Sequence, residues 1–145
     1  MKRERYCLSI AVFTLLRKGN QICMFKRTGT GWMDGFYSLP AGGLEEGETL
    51  TAAAAREVNE EIGVSIAPQN LELSHTLHVR TEDRSWVGHF FSCTHWQGEP
   101  YLAEPEKHSE LCWQDMRELP YNTIPYVRQA IDNILISRTY SEYGW

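Results

Sequence analysis

Basic charge is scarce in this chain of 145 residues: 14 Lys and Arg stand against 19 Asp and Glu, for a formal net charge of -5. A protein that coats a polynucleotide carries a basic face that neutralises phosphates, so no nucleic-acid polymer is expected as a partner. Paired cysteines are missing too. Cys7, Cys23, Cys93 and Cys112 lie far apart and form no CxxC pair, which signals neither a zinc site nor a redox pair. No apolar stretch is long enough to span a bilayer. The amino-terminal run Met1-Lys2-Arg3-Glu4-Arg5 is charged, and Ser9, Thr14 and Arg17 break the apolar residues after it, so it fails as a signal peptide. A cytoplasmic setting without membrane contact is the expectation. An acidic chain still binds a small polyphosphate where a divalent cation bridges the two sets of anionic oxygens.

Linkers, repeats and low-complexity segments are also lacking, and 42% hydrophobic residues suffice for one core. A single domain over residues 1–145 is expected. Tyr6 to Leu16 and Gln21 to Phe25, parted by Arg17-Lys18-Gly19-Asn20, read as a hairpin. Thr28 to Gly35, with three glycines, reads as a loop, and Phe36 to Leu39 as a short extended segment stopped by Pro40. Leu71 to Arg80 and Ser85 to Trp96 read as two strands about a turn at Thr81-Glu82-Asp83, and Leu111 to Gln114 as one more. A helix is expected from Thr49 to Ile62, closed by Gly63, and a second from Pro125, where Val127, Ile131, Ile134 and Leu135 form an apolar stripe. Strands flanking helices predict an α+β (α/β) fold with a mixed sheet covered by helices on both faces.

The first helix carries unusual charge. At about 100° per residue, Glu60 and Glu61 lie within roughly 60° of Glu57. Like charges at this spacing each cost about 0.2–0.5 kcal/mol on an isolated helix. Arg56 offsets one charge, and a cation with oxygen ligands would neutralise the rest. Thr51, Ala55, Val58 and Ile62 form the stripe expected to face the sheet. On charge alone, a solvated helix face is the default reading of the three glutamates. The residues around them change it. Gly42 to Val64 reads GGLEEGETLTAAAAREVNEEIGV and fills every fixed position of the pattern GX5EX7REUXEEXGU, with U apolar. Seven identities at fixed spacing arise by chance with odds on the order of 10^-8 per start position.

That segment is the Nudix box, and the chain resembles a Nudix hydrolase, most closely the MutT-type nucleoside triphosphate pyrophosphohydrolases. Lys26-Arg27 and Leu39-Pro40-Ala41-Gly42-Gly43 fall where the family has a basic pair and a PGG turn, with Ala41 in place of a glycine. The resemblance implies a Nudix-type α/β/α sandwich. It also implies Mg2+, with Mn2+ as the substitute, held by Glu57, Glu60, Glu61 and the Ala41 carbonyl. Glu104, in Gly98-Glu99-Pro100-Tyr101-Leu102-Ala103-Glu104, matches a loop carboxylate that adds a metal ligand, with Glu106 close by. Glu57 matches a favoured general base. Glu48 and Arg56 are expected to brace the box, Gly42 and Gly63 to shape it, and Arg27 to contact phosphate. Asn122 falls near an Asn that reads a base edge, and Tyr121 and Trp113 are candidates to stack on a base; packing is the plainer reading of Trp113.

Absent family arrays narrow the substrate. The SQPWPFPxS array of NADH-type members is missing, and residues 79–82, Val-Arg-Thr-Glu, hold neither the proline of ADP-ribose-type members nor the tyrosine of diadenosine-type members. A nucleoside triphosphate, oxidised or otherwise noncanonical, is left as the leading substrate, giving nucleoside monophosphate and pyrophosphate. The alternatives are another nucleoside diphosphate derivative such as ADP-ribose, or a nucleotide-binding module without catalysis. A monomer or homodimer is expected. His75, His78, His89, His95 and His108 lack ligand spacing and read as ordinary histidines.

Overall fold

The computed structural model describes residue 1 and residues 3–145; Lys2, part of the charged N-terminal run, lies outside the described residues. The chain order is β1 (Ser9–Lys18), β2 (Gln21–Arg27), β3 (Tyr37–Ser38), β4 (Ala41–Gly43), α1 (Leu50–Ile62), a 3-10 turn (Pro68–Asn70), β5 (Glu72–Thr81), β6 (Arg84–Cys93), β7 (His108–Asp115), α2 (Pro125–Leu135) and β8 (Tyr140–Tyr143). The strands form one mixed sheet in the order β3-β2-β1-β6-β5-β8, with β4 added to β1 and β7 to β2.

β1 organises this sheet. One edge pairs in parallel with β6 from Ser9 to Leu16. The other edge is divided: Ala11–Phe13 pair with β4, whereas only Arg17 and Lys18 pair with β2. The expected hairpin is therefore joined only at its base, and β2 diverges to take β7 and β3 as its neighbours. The gap between the diverging parts is where the cavity described below lies.

Because side chains alternate across a strand, β1 feeds two cores. Phe13 and Leu15 join Val127, Ala130 and Ile131 of α2, and Val12 and Leu16 join Ala53, Ala54, Val58 and Ile62 of α1. A sheet buried on both faces needs such continuous apolar runs, and the α/β/α layering predicted from sequence is what forms.

Several details depart from expectation. Ala41–Gly43, read as a turn, is a strand because β1 offers it an edge, and Tyr140–Tyr143 adds an edge strand parallel to β5. Along α1 the buried stripe is Ala53, Ala54, Val58 and Ile62, with Thr51 and Ala55 only partly covered. The helix is thus rotated from the expected setting, which places Glu61, about 20° from Ala54 on the helical wheel, inside the buried face. Leu135 stays outside the α2 stripe and is exposed.

Candidate active site

The carboxylate helix is fixed at both ends. Thr49 caps it, its Oγ1 accepting from the Ala52 N–H at 3.1 Å, and Gly63 ends it at φ +70. A side chain at Gly63 would be strained there and would collide with the Tyr101 ring. The last carbonyls of a helix need partners outside it. Those of Glu61 and Ile62 accept from the Ala103 and Tyr101 N–H groups, which ties the 98–107 loop to α1 and brings Glu104 to the carboxylate face.

Arg56 braces that face. Its Nε and Nη2 donate to the two oxygens of Glu48 at 3.0 and 2.7 Å, a two-pronged pairing that a lysine cannot copy. Nη1 donates to Glu57 at 2.8 Å and Nη2 to the Gly43 carbonyl at 3.1 Å. Glu60, half exposed, lies 3.5 Å from Nη1. The Glu48 and Glu57 side chains are largely buried, so these contacts are worth more than surface ion pairs.

Gly42 lets β4 approach α1, since a methyl group there would overlap the Glu57 carboxylate. Ala41 faces Phe13 of β1, and the flanking bonds from Thr14 N–H to Pro40 C=O and from Leu44 N–H to Ile10 C=O make that a non-hydrogen-bonded pair. Both backbone groups of Ala41 therefore point away from β1, towards α1. Its N–H donates to Glu61 Oε2 at 3.2 Å, and its carbonyl opens onto the same side.

Glu61 is only 6% exposed. Burial pushes its carboxyl up to about 9; the Ala41 N–H works against this, and the charges of Glu57 and Glu104 add to it. Burial also raises Glu57, against the pull of Arg56. Glu57, Glu60, Glu61, Glu104 and Ala41 line a cleft of about 600 Å³. The four carboxylates and the Ala41 carbonyl offer oxygens, which suits a hard cation, and a buried carboxylate pair without a basic partner at Glu61 is what such a cation would neutralise. Among the described residues, no three His, Cys, Asp or Glu side chains stand close enough to enclose an ion. Arg56 holds Glu57 at 2.8 Å and stands 3.5 Å from Glu60.

A second cavity of about 480 Å³ adjoins the cleft. Its walls are aromatic: Phe13, Trp32, Trp86 and Tyr126, with Trp86 edge-on to Tyr126 at 5.1 Å and Trp32 stacked at 6.3 Å. Arg27, Ala41, Glu61 and His108 line both cavities. The Arg27 guanidinium lies 5.0 Å from the Trp32 ring and donates to the Trp32 carbonyl at 2.9 Å and Thr30 Oγ1 at 3.0 Å, holding the 28–35 loop.

The remaining candidates lie elsewhere. Asn122 donates its amide to the Gly35 carbonyl at 2.8 Å and Tyr121 is 95% exposed; neither lines the aromatic cavity. In this structure the Asn122 amide ties the 28–35 loop and the Tyr121 ring faces solvent. Trp113 packs between Trp96 and Lys18 on another part of the surface. Sequence reading missed Trp32, Trp86, Tyr126 and His108. Only position in the fold sets them apart, since four separate segments bring them together.

A compact carboxylate face on a capped helix thus stands beside an aromatic cavity. The NUDIX domain model matches residues 5–134, and the chain belongs to the Nudix family. It is 33% identical over 97 residues to an 8-oxo-dGTP diphosphatase of Escherichia coli K12, covering 67% of this chain and 74% of that protein. It is 30% identical over 112 residues to an RNA pyrophosphohydrolase of Wolbachia pipientis, covering 77% of this chain and 51% of that one. A MutT Nudix hydrolase of Burkholderia pseudomallei shares the fold, with TM-score 0.79, 22% identity, and 88% of this chain and 98% of that one covered. The protein is a Nudix hydrolase, of a family that generally uses divalent metal ions.

Proposed function

We propose that this chain hydrolyses a nucleoside triphosphate, including oxidised or noncanonical ones, to a nucleoside monophosphate and pyrophosphate with Mg2+. The observation that carries the reading is that the two cavities share Arg27, Ala41, Glu61 and His108, so that a base among Trp32, Trp86 and Tyr126 would set its phosphates over Glu57, Glu60, Glu61 and Glu104. The 8-oxo-dGTP diphosphatase among the relatives supports a triphosphate substrate, and the RNA pyrophosphohydrolase supports the same class of bond.

Glu57, Glu60, Glu61, Glu104 and the Ala41 carbonyl would hold Mg2+, or Mn2+ in its place. When bound, the ion would neutralise charge on the phosphates and make water a better nucleophile. The chain's own residues do the positioning. Glu57, raised by burial yet tethered by Arg56, takes the proton from the attacking water. Glu48 and Arg56 keep Glu57 aimed at the cleft, and Gly42 leaves room for it. Arg27, shared by the two cavities, contacts phosphate once its loop partners yield.

A turnover panel tests this reading: nucleoside triphosphates, oxidised nucleotides, ADP-ribose and dinucleoside polyphosphates with Mg2+, comparing native protein with Glu60→Gln. Triphosphate turnover that collapses in the variant is expected. Equal turnover by the two proteins, or none with any substrate, would remove the proposed metal chemistry.

A further inference from the structure

His108 is the one buried side chain whose Nδ1 has no hydrogen-bond partner among the described residues. It is 5% exposed and its ring lies against Phe25, with centroids 4.0 Å apart. The backbone around it is held firmly. His108 opens β7 opposite Arg27, its N–H donates to the Glu104 carbonyl at 3.1 Å, and the Lys107 carbonyl accepts from the Thr28 N–H at 2.9 Å. A phenylalanine or leucine would pack on Phe25 without stranding a ring nitrogen, and buried polar atoms are nearly always partnered. Packing therefore does not account for an imidazole here.

The ring's position does. His108 lines both the aromatic cavity and the carboxylate cleft, in company with Arg27, Ala41 and Glu61. A nucleotide with its base in one cavity and its phosphates in the other must cross these residues at the link between sugar and phosphate. Nδ1 is buried without a partner, which leaves Nε2 as the ring nitrogen able to meet a ligand. Among the described residues Nε2 makes no hydrogen bond and is not sealed from solvent, and the residue lines both cavities. Arg27 and Lys107 lie near the ring. The same two cations favour an anionic oxygen as the group that the N–H meets.

We propose that His108 donates a hydrogen bond from Nε2 to a non-bridging oxygen of the phosphate nearest the nucleoside, setting the register of the phosphate chain over the carboxylate face. This rests on the nucleotide reading above and adds to it a residue that discriminates phosphorylated from unphosphorylated nucleosides.

The test uses the full chain with deoxyguanosine 5′-monophosphate and deoxyguanosine as probes, titrated by calorimetry in Mg2+. His108→Phe keeps the contact with Phe25 and removes both nitrogens, and His108→Gln restores an N–H of similar reach. The monophosphate should bind His108→Phe about 10-fold or more weakly, the scale of a hydrogen bond to a charged group. Deoxyguanosine should bind unchanged, and His108→Gln should recover part of the loss; if the Phe variant does not fold, loss of monophosphate affinity relative to nucleoside in a Leu variant serves instead. Equal weakening of both probes, or no weakening, overturns the inference. If native protein hydrolyses triphosphates and His108→Phe still holds the monophosphate, the inference alone fails; if native protein binds neither probe, the nucleotide reading fails with it.

Discussion

Glu61→Gln should make the protein more stable and less active at once. Glu61 sits in the buried face of α1, where its carboxyl is pushed up to about 9 from an ordinary 4.5. A folded-state pKa above the unfolded one means that the folded protein holds the proton more tightly. The stability so contributed is fully present below about pH 4.5 and is lost as pH rises towards 9. At pH 7 the loss is about 2.5 pH units at 1.36 kcal/mol each, or about 3 kcal/mol. Glutamine does not titrate and keeps an acceptor for the Ala41 N–H, now 3.2 Å from Oε2. Its amide can also donate to Glu57. In urea unfolding with EDTA, the variant should therefore exceed the native protein by about 3 kcal/mol at pH 7, by under about 1 at pH 5, and by more at pH 8.5. Millimolar Mg2+ should stabilise the native protein and leave the variant nearly unmoved, because a ligand stabilises only a fold that binds it. A variant no more stable than native in EDTA at pH 7, or a difference that ignores pH, would refute the placement of Glu61 as a buried, unneutralised carboxyl.

Other residues have distinct expected signatures. Arg56→Lys should cost about 1–3 kcal/mol in chemical denaturation, since the two-pronged bond to Glu48 cannot be rebuilt and Glu57 loses its close partner; an unchanged midpoint would contradict the bracing role. Gly42→Ala should displace the Glu57 carboxylate and reduce turnover by about 10-fold or more, with a modest change in melting temperature; native turnover would show that Glu57 needs no such fit. Trp86→Ala should raise KM for nucleoside triphosphates by about 5-fold to 100-fold, the scale of base stacking, and kcat should change less. Asn122→Ala should leave nucleobase preference unchanged, because its amide serves the Gly35 carbonyl; altered discrimination would return Asn122 to the base pocket.

Local signals made the helices and most strands readable. Thr49 and Gly63 bound α1 through their own chemistry, and Pro125 opens α2. What escaped reading depends on partners distant in the chain. Ala41–Gly43 has no strand propensity and becomes a strand only beside β1. The setting of α1 was misjudged because a periodicity reading keeps a glutamate off the apolar stripe, while four consecutive alanines leave several rotations nearly equal in burial. Glu61 occupies the buried face against local preference. The box residues were readable as a cluster since they share one helix. The aromatic cavity was not, since Phe13, Trp32, Trp86 and Tyr126 come from β1, a loop, β6 and α2 and carry no shared spacing. His108 looked like any of five histidines until the fold set it between the two cavities.

The most direct test of the carboxylate face as the reaction centre is product analysis of nucleoside triphosphate hydrolysis across a Mg2+ titration, with native protein and Glu57→Gln side by side. Equimolar nucleoside monophosphate and pyrophosphate, rising with Mg2+, absent in EDTA and greatly reduced in the variant, is the result predicted. Orthophosphate as the product, or turnover indifferent to Mg2+ and to Glu57, would contradict it.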